Sequence, residues 1–273
     1  MLAAACFCPA LAAAATAWVQ ASLGPALLQI GGVALTVHAA QGVAAVALHV
    51  VLLAAYCGAW AFKDLCFPHA WAPYKVQPGR HVDGRTYRSY AARAVPNIAI
   101  ACGVLYGTVA HLLPWRRSLG FCAPEGLEAC WPAYALAVLL STTFGELVYL
   151  AAHRLQHDLP PLRGLHAVHH RVPAPVAISV YTVHPFDLVL QALTPPVLIT
   201  LLVGPPACYL LGIAAVVALA SPTLHCGYAF PGARVVAAHD RHHSEGQEVG
   251  WDEMSIPTRT LLSAVSSAAG WLA

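Results

Sequence analysis

Charged side chains are scarce in this chain. They make up 10% of its residues, against roughly 25% in a soluble domain, and no Asp, Glu, Lys or Arg precedes Lys63. Together with a mean hydropathy of +0.63, this scarcity excludes an ordinary soluble domain and predicts an integral membrane protein. The formal net charge of +2 is also too small to suggest a nucleic acid as partner.

Two further absences narrow the class of protein. The N-terminus has no basic region ahead of its apolar stretch, so we interpret it as a membrane anchor instead of a cleaved signal peptide. The nine cysteines include no CxxC pair, which indicates buried apolar residues and neither a disulfide framework nor a thiolate metal site. Cys122 and Cys130 share a short polar loop, and a disulfide between them would require that loop to face the lumen.

Long apolar stretches set the predicted fold. We expect an all-α, polytopic bundle of about four membrane spans plus a hydrophobic hairpin. The spans are predicted at residues 2–23, 36–62, 94–113 and 132–152, and the hairpin at 186–203 and 205–224. His38 and His49 lie inside or beside these spans and are interpreted as packing or interface residues.

Basic residues orient the predicted bundle. The loop from Lys63 to Arg93 carries six basic residues against two acidic ones, which places it in the cytoplasm by the positive-inside rule. Arg116 and Arg117 would then be lumenal and speak mildly against this orientation. With it, the histidine-rich segments after residue 152 and after residue 224 both lie on the cytosolic side.

Histidine is abundant, with 15 residues, and eight of them form three clusters. If the segments are helical, spacings of three and four place each cluster on one helical face, as metal ligands require. One zinc takes about four ligands, so the clusters indicate two metals, or one metal with surplus ligands. Ligand type alone does not choose among zinc, copper, iron and nickel. The clusters are His153 and His157; His166, His169 and His170; and His239, His242 and His243.

Two carboxylates are candidates to orient these ligands. Glu146 precedes His153 by two helical turns, and Asp240 lies inside the third cluster. A carboxylate that accepts the free N–H of a ligating imidazole fixes its tautomer and ring orientation.

At these residues the chain resembles the fatty acid hydroxylase and sterol desaturase superfamily. The family boxes HxxxH, HxxHH and HxxHH match the three histidine clusters in order. Within the superfamily the chain is most similar to the C-4 methylsterol oxidases, in the segments Tyr181 to Pro185, His225 to Pro231 and His239 to His243. The resemblance covers roughly residues 140 to 244. It departs from the family after the third box, where Trp251-Asp252 comes early and residues 254–273 show no family features.

The resemblance implies a membrane-bound oxygenase. It implies two iron ions (Fe2+/Fe3+) held by the box histidines, with His225 as a ligand and His184 as a further candidate. Such a centre uses O2, and electrons from NAD(P)H through cytochrome b5 or a similar donor, to hydroxylate the C-4 methyl group of a sterol taken from the bilayer. An endoplasmic reticulum membrane location is expected, with the metal site on the cytosolic side. The expected domains are 1–131 (N-terminal spans and loops), 132–250 (catalytic domain) and 251–273 (divergent tail).

Other interpretations stay open. The same chemistry could act on a sterol ring, a sterol side chain or an acyl chain, by hydroxylation or desaturation. A membrane metal transporter would place its ligands in broken helices at mid-membrane. An inactive relative that binds partners is suggested only by the divergent tail.

Overall fold

The computed structural model describes residues 29–30, 33–34, 36–120, 131–230 and 234–245. In these ranges the regular secondary structure is helical, apart from one isolated bridge and a two-residue antiparallel ladder between β1 (Gln29–Ile30) and β2 (Val33–Ala34). The predicted span at 2–23, the loop from Cys122 to Cys130 and the tail from residue 246 lie outside the described residues.

Ten α-helices and three π-helical turns make up the bundle in the described part of the chain. The α-helices are α1 (Val37–Cys66), α2 (Gly84–Gly107), α3 (Leu113–Ser118), α4 (Trp131–Leu140), α5 (Glu146–Asp158), α6 (Pro160–His170), α7 (Pro185–Asp187), α8 (Thr194–Val203), α9 (Ala207–Leu224) and α10 (Arg234–Glu245). π-Helical turns at Thr108–Leu112, Ser141–Gly145 and Leu188–Leu193 join consecutive helices, and 3-10 turns lie at Ala72–Tyr74 and Ala177–Tyr181.

Five continuous helical segments of the described chain are long and apolar enough to cross a membrane. They are Val37–Cys66, Gly84–Ser118, Trp131–Asp158, Pro185–Val203 and Ala207–Leu224. The predicted all-α membrane bundle is therefore confirmed, and these five segments contain or closely match the spans and hairpin predicted after residue 35. The second segment begins ten residues before the predicted start at 94, because its first turns carry charged residues that a hydropathy window leaves out.

Local sequence explains where these helices begin and end. The side chains of Thr36 and Asp83 accept hydrogen bonds from the backbone N–H groups of Ala39 and Thr86, which caps α1 and α2. Pro160 and Pro161 begin α6, where a missing N–H costs nothing. Gly204 ends α8 with a left-handed φ of 63°.

Arg116 and Arg117 have a structural role that hydropathy did not predict. Arg116 donates to the carbonyls of Leu201 and Leu202, and Arg117 Nη2 donates to the carbonyl of Pro205 at 3.2 Å. These carbonyls lie at and just after the C-terminal end of α8, where cations are favoured. The two arginines therefore bind the end of a neighbouring helix instead of lying free in a loop.

Helices α1 and α9 run side by side in the same direction along the bundle. His49 of α1 contacts the Ala214 carbonyl of α9 at 3.0 Å, and Tyr56 contacts Thr223 at 2.7 Å, nine residues further along α9. This pairing brings the C-terminal ends of both helices to the same end of the bundle, where His225 follows α9.

Candidate metal centre

The first histidine group contains five imidazoles from three helices: His153, His157, His166, His170 and His242. They come from α5, α6 and α10. The Nε2 atom of His153 lies 3.0 Å from that of His242 and 3.2 Å from that of His157, and the Nε2 atoms of His170 and His166 are 3.0 Å apart. The predicted first, second and third boxes thus meet at one point.

The second histidine group contains four buried imidazoles: His169, His225, His239 and His243. His225 follows directly after α9, and the others lie on α6 and α10. The Nε2 atom of His225 is 3.1 Å from that of His169 and 3.0 Å from that of His239. Each of the last two boxes therefore contributes to both groups.

The two groups are direct neighbours. The rings of His170 and His243, one from each group, stack with centroids 4.9 Å apart, and those of His239 and His242 are 5.9 Å apart. Within α6, His166 and His170 are one turn apart and point to one group, while His169 points to the other. The sequence predicted one ligand face for each cluster, whereas the structure divides the second and third clusters between the two groups.

The geometry of both groups fits bound metal ions. Two nitrogens that each lie about 2.1 Å from one ion and subtend an angle of about 90° are about 3 Å apart, which matches the Nε2 spacings. In addition, both ring nitrogens of His243 are buried without a hydrogen-bond partner among the described residues. A buried polar atom with no partner is costly, and metal coordination would satisfy Nε2.

Burial keeps five of these imidazoles neutral, the form that binds metals. Desolvation, reinforced by the neighbouring imidazoles, lowers the pKa of His170 to about 2 and that of His239 to about 3. The pKa values of His169, His225 and His243 are lowered well below the usual range for the same reasons.

Asp187 supports the first histidine group, and the sequence analysis missed it. Its Oδ2 atom accepts a hydrogen bond from His166 Nδ1 at 2.8 Å, and its Oδ1 atom accepts one from Gln156 Nε2 at 2.8 Å. The residue is 2% exposed. This is the carboxylate–histidine arrangement that fixes a ligand's tautomer and leaves Nε2 for the metal. The signal for Asp187 in the sequence is the position of an acidic residue at the start of an apolar hairpin, where a charged side chain needs a polar partner.

A backbone carbonyl plays the corresponding part in the second histidine group. His225 Nδ1 donates to the Ser221 carbonyl one turn earlier, at 3.0 Å. A carbonyl can only accept, so the hydrogen of neutral His225 is on Nδ1, and Nε2 faces the other three imidazoles.

The remaining predicted residues lie around the groups. His184 belongs to neither group in the described residues, and its Nδ1 accepts from the Phe186 N–H at the start of α7. Glu146 is half-buried at the first residue of α5, and its orienting role stays a prediction. Asp240 is buried and accepts a hydrogen bond from Gln77 Nε2 at 2.7 Å, so its role beside a ligand also stays a prediction.

A buried polar network holds the loop that follows His225. Tyr228 is fully buried, and its hydroxyl donates to Asp64, which also accepts from the Tyr87 hydroxyl at 3.0 Å. Lys75 lies 4.0 Å from the same carboxylate. Gly227 has a φ of 74°, and a Cβ there would lie 2.9 Å from the Pro175 carbonyl. Only glycine fits at this crossing of the loop with the chain before the 3-10 turn.

Comparison with known proteins agrees with this geometry. The fatty acid hydroxylase family model matches residues 137–258, a range that contains both histidine groups and Asp187. This region of the chain is therefore similar to the fatty acid hydroxylase family. No solved structure matches the chain.

Two curated proteins are also similar to the chain. The chain is 24% identical over 194 residues to fatty acid hydroxylase domain-containing protein 2 of Macaca fascicularis, and 23% identical over 197 residues to the human protein of that name. Each alignment covers 67% of this chain and 57% of the relative. The chain thus spans little more than half the length of these relatives. Both are named for the domain alone.

Proposed function

We propose that the protein is a membrane-bound di-iron oxygenase that hydroxylates an unactivated C–H bond of a lipid. The observation that carries this proposal is the convergence of nine imidazoles into two adjacent groups within the residues that the fatty acid hydroxylase family model matches. Five ligands in one group exceed the four of a structural zinc site, and iron accepts both imidazole and higher coordination numbers.

The proposed ligands are His153, His157, His166, His170 and His242 for one ion and His169, His225, His239 and His243 for the other. Bound iron would supply the oxidising chemistry, in which a lipid C–H bond, O2, two electrons and two protons give C–OH and water. The chain's own residues have separate tasks. Asp187 and the Ser221 carbonyl orient the rings of His166 and His225, and the buried walls exclude water.

We propose the C-4 methyl group of a sterol as the first substrate to test. The support is the similarity of the segments Tyr181 to Pro185 and His225 to Pro231 to those of C-4 methylsterol oxidases. A sterol ring, a sterol side chain or an acyl chain is the alternative within the same chemistry. Electrons from NAD(P)H through a cytochrome b5-type donor, an endoplasmic reticulum membrane and a cytosolic metal site belong to the same proposal.

The positions of the ligands favour an oxygenase over a metal transporter. Apart from His153 and His157, near the C-terminal end of their segment, the ligands lie outside the five apolar segments. A transporter would hold its ions in the middle of such segments. Vesicle assays that found metal flux without lipid oxidation would reverse this preference.

Metal content and product formation test the proposal together. The full chain, purified anaerobically in detergent, should contain close to two iron ions. With O2, a reduced electron donor and a 4-methylsterol in nanodiscs, mass spectrometry should detect a product heavier by one oxygen atom. His69→Ala, an exposed histidine outside both groups, is the matched control and should change neither result. A chain that binds no transition metal would overturn the proposal, and metal without any lipid product would support the inactive relative.

A further inference from the structure

A cavity of about 110 Å³ lies among the apolar helices of the bundle. Most of its lining is aliphatic, from α2, α8, α9 and the π-helical turn after Asp187. The polar side chains among its lining residues belong to His49, Thr108, Tyr181 and Ser221. Since ligand pockets for whole small molecules measure roughly 300–1,000 Å³, this cavity has room for part of a lipid.

Two of these polar residues, His49 and Tyr181, form a buried pair, each 4% exposed. His49 Nδ1 lies 3.0 Å from the Ala214 carbonyl, and His49 Nε2 lies 3.0 Å from the Tyr181 hydroxyl. The carbonyl can only accept, so Nδ1 carries the hydrogen of a neutral imidazole. Nε2 is then an acceptor, and the Tyr181 hydroxyl must donate to it.

This assignment leaves an acceptor at the cavity wall. The phenol oxygen of Tyr181 has two lone pairs, and it makes no other hydrogen bond with the described residues. Burial raises the pKa of Tyr181 above its ordinary value, so the phenol keeps its proton. The backbone of Tyr181 is held in place because Asn97 Nδ2 donates to the Tyr181 carbonyl at 2.8 Å. The complementary ligand group is a hydrogen-bond donor carried on an apolar body.

The walls of the cavity depart from regular α-helix at two places. Thr108 lies in one π-helical turn, and Leu188, Ala192 and Leu193 lie in another. Such turns are rare and occur frequently at functional sites, because the extra residue widens the helix. The presence of two such turns in the lining of one cavity supports a binding role for it.

The cavity also reaches the residues that support the metal centre. Ser221, whose carbonyl orients His225, lines one end, and Leu188 directly follows Asp187. Ala214, beside the polar pair, precedes Ser221 by seven residues of one helix, which corresponds to about 10 Å. The polar pair is therefore about two helical turns from Ser221 and about three from His225, which follows Ser221 by four residues.

We propose that this cavity binds a lipid alcohol whose hydroxyl donates a hydrogen bond to the Tyr181 oxygen while its apolar body extends towards Ser221. The proposal rests on the proposed function and adds a substrate class to it. It also fixes the position of reaction, because the oxidised carbon must lie about 10 Å or more from the hydroxyl. Of the substrates named under the proposed function, this placement therefore selects the alternative, a remote position such as a sterol side chain. The C-4 methyl group, first to be tested because of sequence similarity alone, lies next to the hydroxyl and would be too close to the polar pair.

Binding to the full chain in nanodiscs tests this proposal without turnover. The probes are two alcohols, cholesterol and octadecan-1-ol, each compared with its own methyl ether, which cannot donate. The wild-type protein should bind at least one alcohol about three- to tenfold more tightly than its ether, the ratio expected for one hydrogen bond. Cholesterol alone showing this preference would assign a sterol, and octadecan-1-ol alone a long-chain alcohol. Equal binding of alcohol and ether in both pairs would overturn the proposal.

Tyr181→Phe should remove the preference for the alcohol and leave the ether affinity unchanged. Tyr209→Phe is the matched control, because Tyr209 is equally buried and hydrogen-bonded to Ser141 but does not line the cavity. An unchanged metal content would show that the Tyr181→Phe protein is folded. A preference that survives Tyr181→Phe, or oxidation next to the hydroxyl, would overturn the proposal and leave the oxygenase function standing. Failure of the oxygenase function would instead appear as missing metal or missing product, with the binding preference intact.

Discussion

The two histidine groups differ in number, exposure and support. The first has five imidazoles, of which His157 and His170 are half-buried, and the second has four, all buried. A carboxylate, Asp187, orients a ring in the first group, whereas a backbone carbonyl orients His225 in the second. The first group therefore keeps four imidazoles if one is lost, which makes one of its ligands a spare. Its orienting group is the side chain of Asp187, which a mutation can replace. The second has no spare ligand, and it lies beside the end of the cavity lined by Ser221.

The largest effect is expected from removing a ligand of the second group. His169→Ala leaves three imidazoles, so the chain should lose close to one of its two metal ions, and lipid oxidation should fall by about a hundredfold or more. Metal analysis and product assay measure both quantities. His69→Ala, with both functions retained, is the control. Two metal ions bound after His169→Ala would show that the second group is not a separate site.

A ligand of the first group should matter less. His157→Ala leaves four imidazoles around the ion, so the metal content should stay close to two per chain while affinity falls by about tenfold. Competition with a soluble chelator gives that affinity. Comparison with His169→Ala tests the difference between the groups directly. If His157→Ala and His169→Ala lose the same amount of metal, the spare ligand does not exist.

The hydrogen bond that orients His166 in the first group can be weakened without mutating a metal ligand. Asp187→Asn replaces a charged acceptor shared by His166 and Gln156, so His166 loses its fixed tautomer. The first ion should bind about ten- to a hundredfold more weakly, while the second ion keeps its affinity. Chelator titration resolves the two ions as separate phases. Asp158→Asn, at an exposed carboxylate paired with Arg154, is the control. Equal weakening of both ions would mean that Asp187 acts on the whole fold.

The smallest effect is expected at the loop that follows His225. Tyr228→Phe removes the hydroxyl that donates to Asp64 and leaves that buried carboxylate one hydrogen bond short. The free energy of unfolding should fall by about 1–3 kcal/mol, with the metal content unchanged at saturating iron. Thermal unfolding in detergent measures this loss. Tyr74→Phe, at a tyrosine 40% exposed, should have no such effect, and equal losses in the two variants would contradict the prediction.

The membrane spans and the helices that carry the histidines could be predicted from the sequence, because both depend on local periodicity. Long apolar stretches set the spans after residue 35, and spacings of three and four residues placed the box histidines on helices, which the structure confirms. The division of His166, His169 and His170 between two groups could not be predicted in this way. It depends on the angle at which α10 approaches α6, and that angle is set by packing.

The missed residues share a physical reason. Asp187 acts on His166 across 21 positions of the chain, and Tyr181 acts on His49 across 132. Neither distance corresponds to a helical repeat, so no pattern links the partners. The sequence indicates a packing role for His49, because nothing nearby in the chain could pair with it. Its partner, Tyr181, lies on the Ala177–Tyr181 turn, which packs against α1.

Helix α10 has a consequence for the biogenesis of the protein. It supplies His242 to the first group and His239 and His243 to the second, and the ribosome makes it after the other described helices. A nascent chain that ends before residue 234 would present four imidazoles of one group and only two of the other. Both histidine groups can therefore be completed only after α10 has been synthesised, by which time the other described helices have already left the ribosome.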